Sequence, residues 1–216
     1  MDKHAHILAT LADMYPDARC ALNFRNPFEL LIATMLAAQA TDKSVNRVTP
    51  ALFAKAPTPE AMLLLTQEEL EDLIKSIGLY RNKGRNILAA CRILVEKHGG
   101  QVPGYREGLE KLPGVGRKTA NVVLAEAFQE PAIAVDTHVF RVSNRLGLAQ
   151  AKDVVKTEQD LMNNIPRDLW AKAHHWLIFH GRQVCHARKP ACGVCRLAEC
   201  CREYTGLKRE TGEETE

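Results

Sequence analysis

Apolar residues recur three and four positions apart along most of the chain, the spacing of helices that bury one face. Asn26-Pro27-Phe28-Glu29 places a cap residue, a proline at the first helical position and an acid at the third ahead of Leu31, Ile32, Met35 and Leu36, and so predicts a helix start. Thr58-Pro59-Glu60 repeats that logic. Thr66-Gln67-Glu68-Glu69 reads as a capping box leading into Leu70, Leu73, Ile74 and Ile77, with Gly78 as its stop. From Asn82 onward, Ile87, Leu88, Cys91, Leu94 and Val95 keep helical spacing as far as His98-Gly99-Gly100. Further helices are predicted at Leu109 with Leu112 and across 120–128, 139–146, 154–162 and 169–179. No stretch alternates as a strand, the connections are short and rich in Pro, Gly and Asn, and no repeat of solenoid period occurs. The fold class is therefore all-α.

Composition narrows this little. With 216 residues, 46% hydrophobic and 25% charged, the chain is an ordinary globular protein large enough to bury its own core. Its longest apolar stretch, Leu30 to Ala38 interrupted by Thr34, is far shorter than the ~20 residues of a membrane helix. Asp2, His4, His6 and Asp13 break up the N-terminal segment, which does not read as a secretory signal, so a cytoplasmic location without membrane contact is expected. The net charge is +3; removing Gly206 to Glu216, with two basic and four acidic residues, leaves 27 basic against 22 acidic, or +5. That excess permits an anionic partner without demanding one.

Candidate chemistry concentrates in three places. Leu109-Glu110-Lys111-Leu112-Pro113-Gly114-Val115-Gly116-Arg117-Lys118-Thr119-Ala120-Asn121-Val122-Val123 sets a tight turn between two amphipathic segments. Glycines flanking one apolar residue allow close approach of a ligand to the backbone, and the following helix adds its positive end, so a phosphate suits the turn. Leu109, Leu112, Ala120 and Val123 supply the contacts that clamp two short helices, which makes this a helix-hairpin-helix pattern, a reader of DNA backbone rather than of bases. Lys118 follows the turn at the start of the second helix, where a cation gains nothing from the dipole. A lysine there fits a phosphate contact beside Arg117 and also fits a Schiff-base nucleophile. Asp136 emerges from the apolar run Ala132-Ile133-Ala134-Val135 directly before a helix; it reads first as an N-cap, and equally as a carboxylate placed to stabilise positive charge.

The third place is a cysteine cluster. Seven cysteines are present; Cys20 and Cys91 stand alone, while Cys185, Cys192, Cys195, Cys200 and Cys201 crowd together. In a reducing compartment such crowding points to metal. Cys185, Cys192, Cys195 and Cys201 form C-x6-C-x2-C-x5-C, a quartet that suits a structural zinc or a [4Fe-4S] cluster alike. Adjacent cysteines seldom share one centre, and Cys201 rather than Cys200 is taken as the fourth ligand. Arg182, His186, Arg188, Lys189 and Arg196 make the surrounding loop basic.

Leu112 to Ala120, then Val135-Asp136-Thr137-His138, then the quartet, in this order and spacing, resemble the endonuclease III family, the iron-sulfur branch of the helix-hairpin-helix DNA glycosylases. Leu30-Leu31-Ile32-Ala33, Ala38-Gln39-Ala40-Thr41-Asp42, Ile77-Gly78-Leu79-Tyr80 and Arg188-Lys189-Pro190 are similar to segments of that family too. The resemblance implies a bifunctional DNA glycosylase and AP lyase acting as a monomer in base excision repair on duplex DNA with oxidised pyrimidines or abasic sites. It implies that Lys118 is the nucleophile, that Asp136 assists it, and that Cys185, Cys192, Cys195 and Cys201 hold a [4Fe-4S] cluster. It further implies that Gln39 and Leu79 fill the stack when a nucleotide is swung out, and that Gly114, Val115, Gly116, Arg188 and Lys189 contact DNA. The fold it implies has two helical lobes around a DNA-binding cleft. Residues 20–131 form one lobe, ending in the hairpin at 109–123; residues 1–19 with 132–205 form the other, with the cluster loop at 185–201; residues 206–216 make a flexible acidic tail. Mispair-directed adenine glycosylases lack a lysine at the matching position, so Lys118 separates the two branches. The alternatives are a non-enzymatic DNA-binding protein with a structural metal and a redox-sensing iron-sulfur protein.

Overall fold

The computed structural model describes residues 2–211, with side chains described as far as Gly206. Among these residues there are α-helices and short 3-10 turns and no strand. The helices are α1 (Lys3–Met14), α2 (Pro27–Ala37), α3 (Asp42–Lys55), α4 (Pro59–Leu63), α5 (Gln67–Ile74), α6 (Tyr80–His98), α7 (Arg106–Glu110), α8 (Arg117–Ala127), α9 (Thr137–Leu146), α10 (Val154–Asn164), α11 (Trp170–Gln183) and α12 (Arg202–Thr211). They fall into two compact units, one continuous, Cys20–Glu130, and one made of Met1–Arg19 with Pro131–Glu216.

In the continuous unit α2 is the axis. Nine successive residues, Phe28 to Leu36, are buried, because α3, α6 and α8 all pack on this helix. A helix apolar on every side belongs inside a core. Its start is secured as the sequence predicts, with Asn26 Oδ1 accepting from Glu29 N at 2.9 Å and Pro27 at the first position. Glu29 is only 3% exposed, and its carboxylate is met by the Arg25 guanidinium at 2.8 Å and by Arg25 N at 2.8 Å. The capping box at Thr66 forms reciprocally with Glu69. Helix α5 and the short α4 both pack on α6.

The discontinuous unit is built on α9 and α11. Helix α1 packs on α11, α10 and α12 on α9, and a shared core gathers Ile7 and Leu11 from α1, Val139, Val142 and Leu146 from α9, and Trp176 and Leu177 from α11. Gly181 permits the closest approach here, since a Cβ at that position would lie 3.0 Å from His138 Cβ. Buried polar groups are paired: Trp170 Nε1 donates to Ile165 O at 2.9 Å, and His174 Nδ1 lies 2.7 Å from Ala134 O.

Three helices stand where the apolar pattern predicted none: α1, α3 and α12. Helix α3 contains Pro50, which costs about 3 kcal/mol inside a helix and reads locally as a break. Burial of Val45, Val48, Leu52 and Phe53 outweighs it, and Thr41 caps the start by accepting from Ser44 N at 3.2 Å. Helix α6 begins at Tyr80, ahead of the predicted Asn82, with Leu79 as a left-handed N-cap. Helix α12 runs into the acidic tail as far as Thr211; the remainder of the tail, 212–216, lies outside the described residues. No helix among the described residues is long and apolar enough to cross a membrane.

Because α2 depends on its cap and has no other side chain at that end to accept from Glu29 N, Asn26→Ala should lower stability by about 1 kcal/mol. Urea unfolding followed by circular dichroism checks this, with a lower midpoint and an unchanged slope expected.

Candidate functional site

Helices α7 and α8 form the hairpin. Its turn is a succession of short bonds, Leu112 N to Leu109 O at 3.0 Å and Val115 N to Leu112 O at 3.0 Å, with Gly114 at φ +79°. Gly114 and Gly116 are exposed. Val115 is 6% exposed, so its side chain belongs to the core. No side chain caps the start of α8, whose N-cap is Gly116, so the turn offers backbone N-H groups and a positive helix end to an anion. Lys118 lies exposed in that first helical turn.

Gln39, Leu79 and Gly114 meet around one hollow of about 120 Å3, lined also by Met35, Asn82, Lys83 and Asn86. Gln39 at φ 56° and Leu79 at φ 59° both occupy the left-handed region. That conformation costs a non-glycine residue about 1 kcal/mol or more and persists where the surroundings enforce it, often at functional positions. Leu79 is also 60% exposed, an apolar side chain held out into water. Four non-glycine residues have positive φ among those described, and Lys189 at φ 52° is a third candidate contact in that set.

Asp136 is the N-cap of α9: its Oδ1 accepts from Val139 N at 2.8 Å. Its Oδ2 takes no hydrogen bond among the described residues, which leaves one carboxylate oxygen to face a positive charge. Lys118 belongs to the continuous unit and Asp136 to the discontinuous one.

Cys185, Cys192, Cys195 and Cys201 line a single cavity of about 50 Å3, and Cys200 is not among its walls. The Cys200 thiol donates to Leu197 O and the Cys201 thiol to Arg145 O, each at 3.3 Å. Burial raises the Cys192 and Cys195 thiols above their ordinary range, and repulsion from Cys185 and Cys201 adds to it. The loop is anchored from α9. Arg141 donates to Cys185 O at 3.0 and 3.1 Å and to Gly181 O at 3.0 Å; Arg145 donates to His186 O at 2.8 Å and pairs with Glu203 at 3.0 Å. Arg188 and Lys189 are exposed on the loop, whereas Arg196 is paired with Asp13 at 2.6 Å. His180 Nε2 lies 3.7 Å from Cys195 Sγ, and its Nδ1 3.0 Å from Tyr15 Oη; burial pushes the imidazole down to about 4, so it is neutral near pH 7.

Sequence reasoning missed Lys83, Arg141, Arg145, His180 and Tyr15. Arg141 and Arg145 carried one usable signal, an i, i+4 pair on the helix that Asp136 opens. Lys83, in a run of polar residues, carried none.

Among the described residues the chain is helical, with a glycine hairpin, a capped aspartate and four cysteines around one cavity, the arrangement of a helix-hairpin-helix protein. Residues 32–167 match the family described as HhH-GPD superfamily base excision DNA repair protein. The chain belongs to that superfamily. It is 53% identical over 202 residues to endonuclease III of Haemophilus influenzae and, over the same length, to endonuclease III of Escherichia coli, covering 94% of this chain and 95% of each relative. Endonuclease III of Bacillus subtilis is 53% identical over 204 residues, 94% of this chain and 92% of that one. Among solved structures, a trapped endonuclease III-DNA covalent intermediate superposes with a TM-score of 0.90 at 51% identity, covering 97% of this chain and 100% of that one. A thermostable thymine-DNA glycosylase shares the fold at a TM-score of 0.85 and 24% identity, covering 94% of this chain and 97% of that one.

At Gly114 an added Cβ would meet Asn86 at 3.0 Å on a backbone with φ +79°. Gly114→Ala should therefore cost about 1–3 kcal/mol, read as a lower melting temperature, whereas Gly116→Ala, with open space around its Cβ, should melt close to the parent.

Proposed function

We propose that the protein is a bifunctional DNA glycosylase and AP lyase that removes oxidised pyrimidines from duplex DNA in base excision repair. The observation that carries this reading is the joint presence of the glycine hairpin with Lys118 at its helix start and a relative of the same fold, 51% identical, described as trapped covalently on DNA. A covalent adduct needs a nucleophile, and a lysine amine supplies one that water does not.

In this reading the hairpin N-H groups and Arg188 and Lys189 hold backbone phosphates, and the target nucleotide turns out of the stack, which costs a few kcal/mol. Gln39 and Leu79 occupy the space left behind. The lone pair of Lys118 Nζ bonds to C1′ of the sugar as the bond to the base breaks and the base leaves. Asp136 Oδ2 faces the positive charge that develops on the sugar, with the carboxylate held by its bond to Val139 N. One N-H proton passes to O4′ as the C1′–O4′ bond breaks, and the opened ring carries the protonated imine. Loss of a C2′ proton then expels the 3′ phosphate by β-elimination, which cuts the strand on the 3′ side. Water completes the cycle by hydrolysing the imine and releasing Lys118.

The chemistry of the quartet suits a [4Fe-4S] cluster: the four cysteines are soft donors around one cavity, and Cys200 is not among its walls. Cys185, Cys192, Cys195 and Cys201 would each bind one corner. Such a cluster supplies rigidity, fixing the loop from which Arg188 and Lys189 project.

Borohydride trapping on a duplex carrying thymine glycol or an abasic site should give a covalent adduct with the parent and none with Lys118→Ala, while Lys118→Ala keeps DNA affinity within about threefold, about 0.7 kcal/mol. Loss of affinity together with trapping would favour the phosphate-contact role instead. Metal analysis and visible absorption should show iron lost from Cys201→Ser and retained in Cys200→Ser.

A further inference from the structure

The hollow beside the hairpin contains a buried cation that the proposed chemistry does not use. Lys83 is 7% exposed, and burial lowers its amine below the usual lysine range. No carboxylate pairs with it among the described residues; Lys83 Nζ donates to Leu36 O at 2.9 Å. A buried ammonium opposite a lone carbonyl is an expensive choice for a helix position that methionine would fill as well.

The position of that carbonyl explains the choice. Leu36 is in the last turn of α2, where carbonyls have no partner within the helix. Ala37 O is taken by Ala40 N at 3.1 Å, and α2 has no basic residue of its own in that turn. Lys83 brings the missing cation from another helix to the negative end of α2. Three residues beyond Leu36 stands Gln39, left-handed and exposed.

Lys83 is tied to the second left-handed residue as well. Its backbone N donates to Leu79 O at 3.0 Å, closing the first turn of α6, a turn whose N-cap makes no side-chain bond. Lys83 thus grips the end of α2 with its side chain and the start of α6 with its backbone, and both residues that extend from these ends line the same hollow as Lys83.

We propose that Lys83 is a positioning residue for nucleotide extrusion: by tying Leu36 O to the first turn of α6 it sets the spacing between Gln39 and Leu79, the two side chains that enter the stack. This rests on the glycosylase reading and adds a residue to it. Insertion into a base stack tolerates little error, since displacing a group by about 1 Å can cost about 100-fold in rate.

The test is Lys83→Met, which keeps the stem and removes the ammonium, in two assays run on the full chain with thermal unfolding alongside. Extrusion is read by stopped-flow fluorescence of 2-aminopurine placed beside thymine glycol in a fully paired duplex. Schiff-base chemistry is read by borohydride trapping at an abasic site inside a run of mismatches, where no stack has to be opened. Extrusion and kcat on the paired duplex should fall together by about 10-fold to 100-fold, with KM and trapping in the mismatched run within about twofold of the parent. Lys83→Arg, which keeps a donor but not its length, should show the same split to a smaller degree and serves if Lys83→Met does not fold. Parent-like extrusion in a folded Lys83→Met overturns the proposal, and so does an equal fall in both assays, which would make Lys83 a residue of the fold alone. A parent protein that forms no adduct on either substrate overturns the glycosylase reading and the insertion role with it.

Discussion

Helix α2 is buried along nine successive residues, so the polar groups at its two ends have to be satisfied by the protein rather than by water. At the start, Asn26 and the Arg25-Glu29 pair do this within a few residues. At the finish no local side chain is available, and the chain reaches forward to α6 for Lys83. Much of what distinguishes the surface of this unit follows from that need. The exit from α2 is pinned, Gln39 turns left-handed just beyond it, and α6 is drawn close enough for Leu79 and Asn86 to border the same hollow as Gly114.

The other unit answers the same problem with arginines. The cysteine loop has only short 3-10 turns to occupy its carbonyls. Arg141 and Arg145 of α9 take those of Cys185 and His186, and Arg141 also that of Gly181 near the end of α11. Planar guanidinium groups with several fixed donors suit this work better than lysines would. The same helix begins with Asp136, whose carboxylate is oriented by the first-turn N-H of Val139. One ten-residue element therefore orients an acid at one end and grips the loop along its length.

What the sequence made legible was what local chemistry encodes. The caps at Asn26, Thr58 and Thr66 formed as their residue types demand, and the all-α class followed from periodicity and punctuation. Helix α3 escaped because Pro50 outvotes its neighbours locally, while burial of Val45 and Leu52 is a tertiary fact. The left-handed backbone at Gln39, Leu79 and Lys189 had no signature, since none of them is glycine or asparagine. Lys83 looked like any lysine on a polar helix face. Counting along the chain could not separate Cys200 from Cys201; what distinguishes them in the fold is that Cys201 borders the cavity shared by the other three and Cys200 does not. Resemblance supplied roles that no single residue type could.

The two units also differ in how the ribosome delivers them. Cys20–Glu130 leaves as one uninterrupted stretch that contains α2 together with α3, α6 and α8, which pack on it. Helix α1, by contrast, precedes the continuous unit, and its packing partner α11 follows that unit. During translation the apolar face of Ile7, Leu8 and Leu11 therefore waits uncovered while an entire unit is made. Completion of the discontinuous unit, and with it the closing of the cysteine loop, waits until the continuous unit has been made, so any group inserted among those thiols arrives after that stretch has left the ribosome.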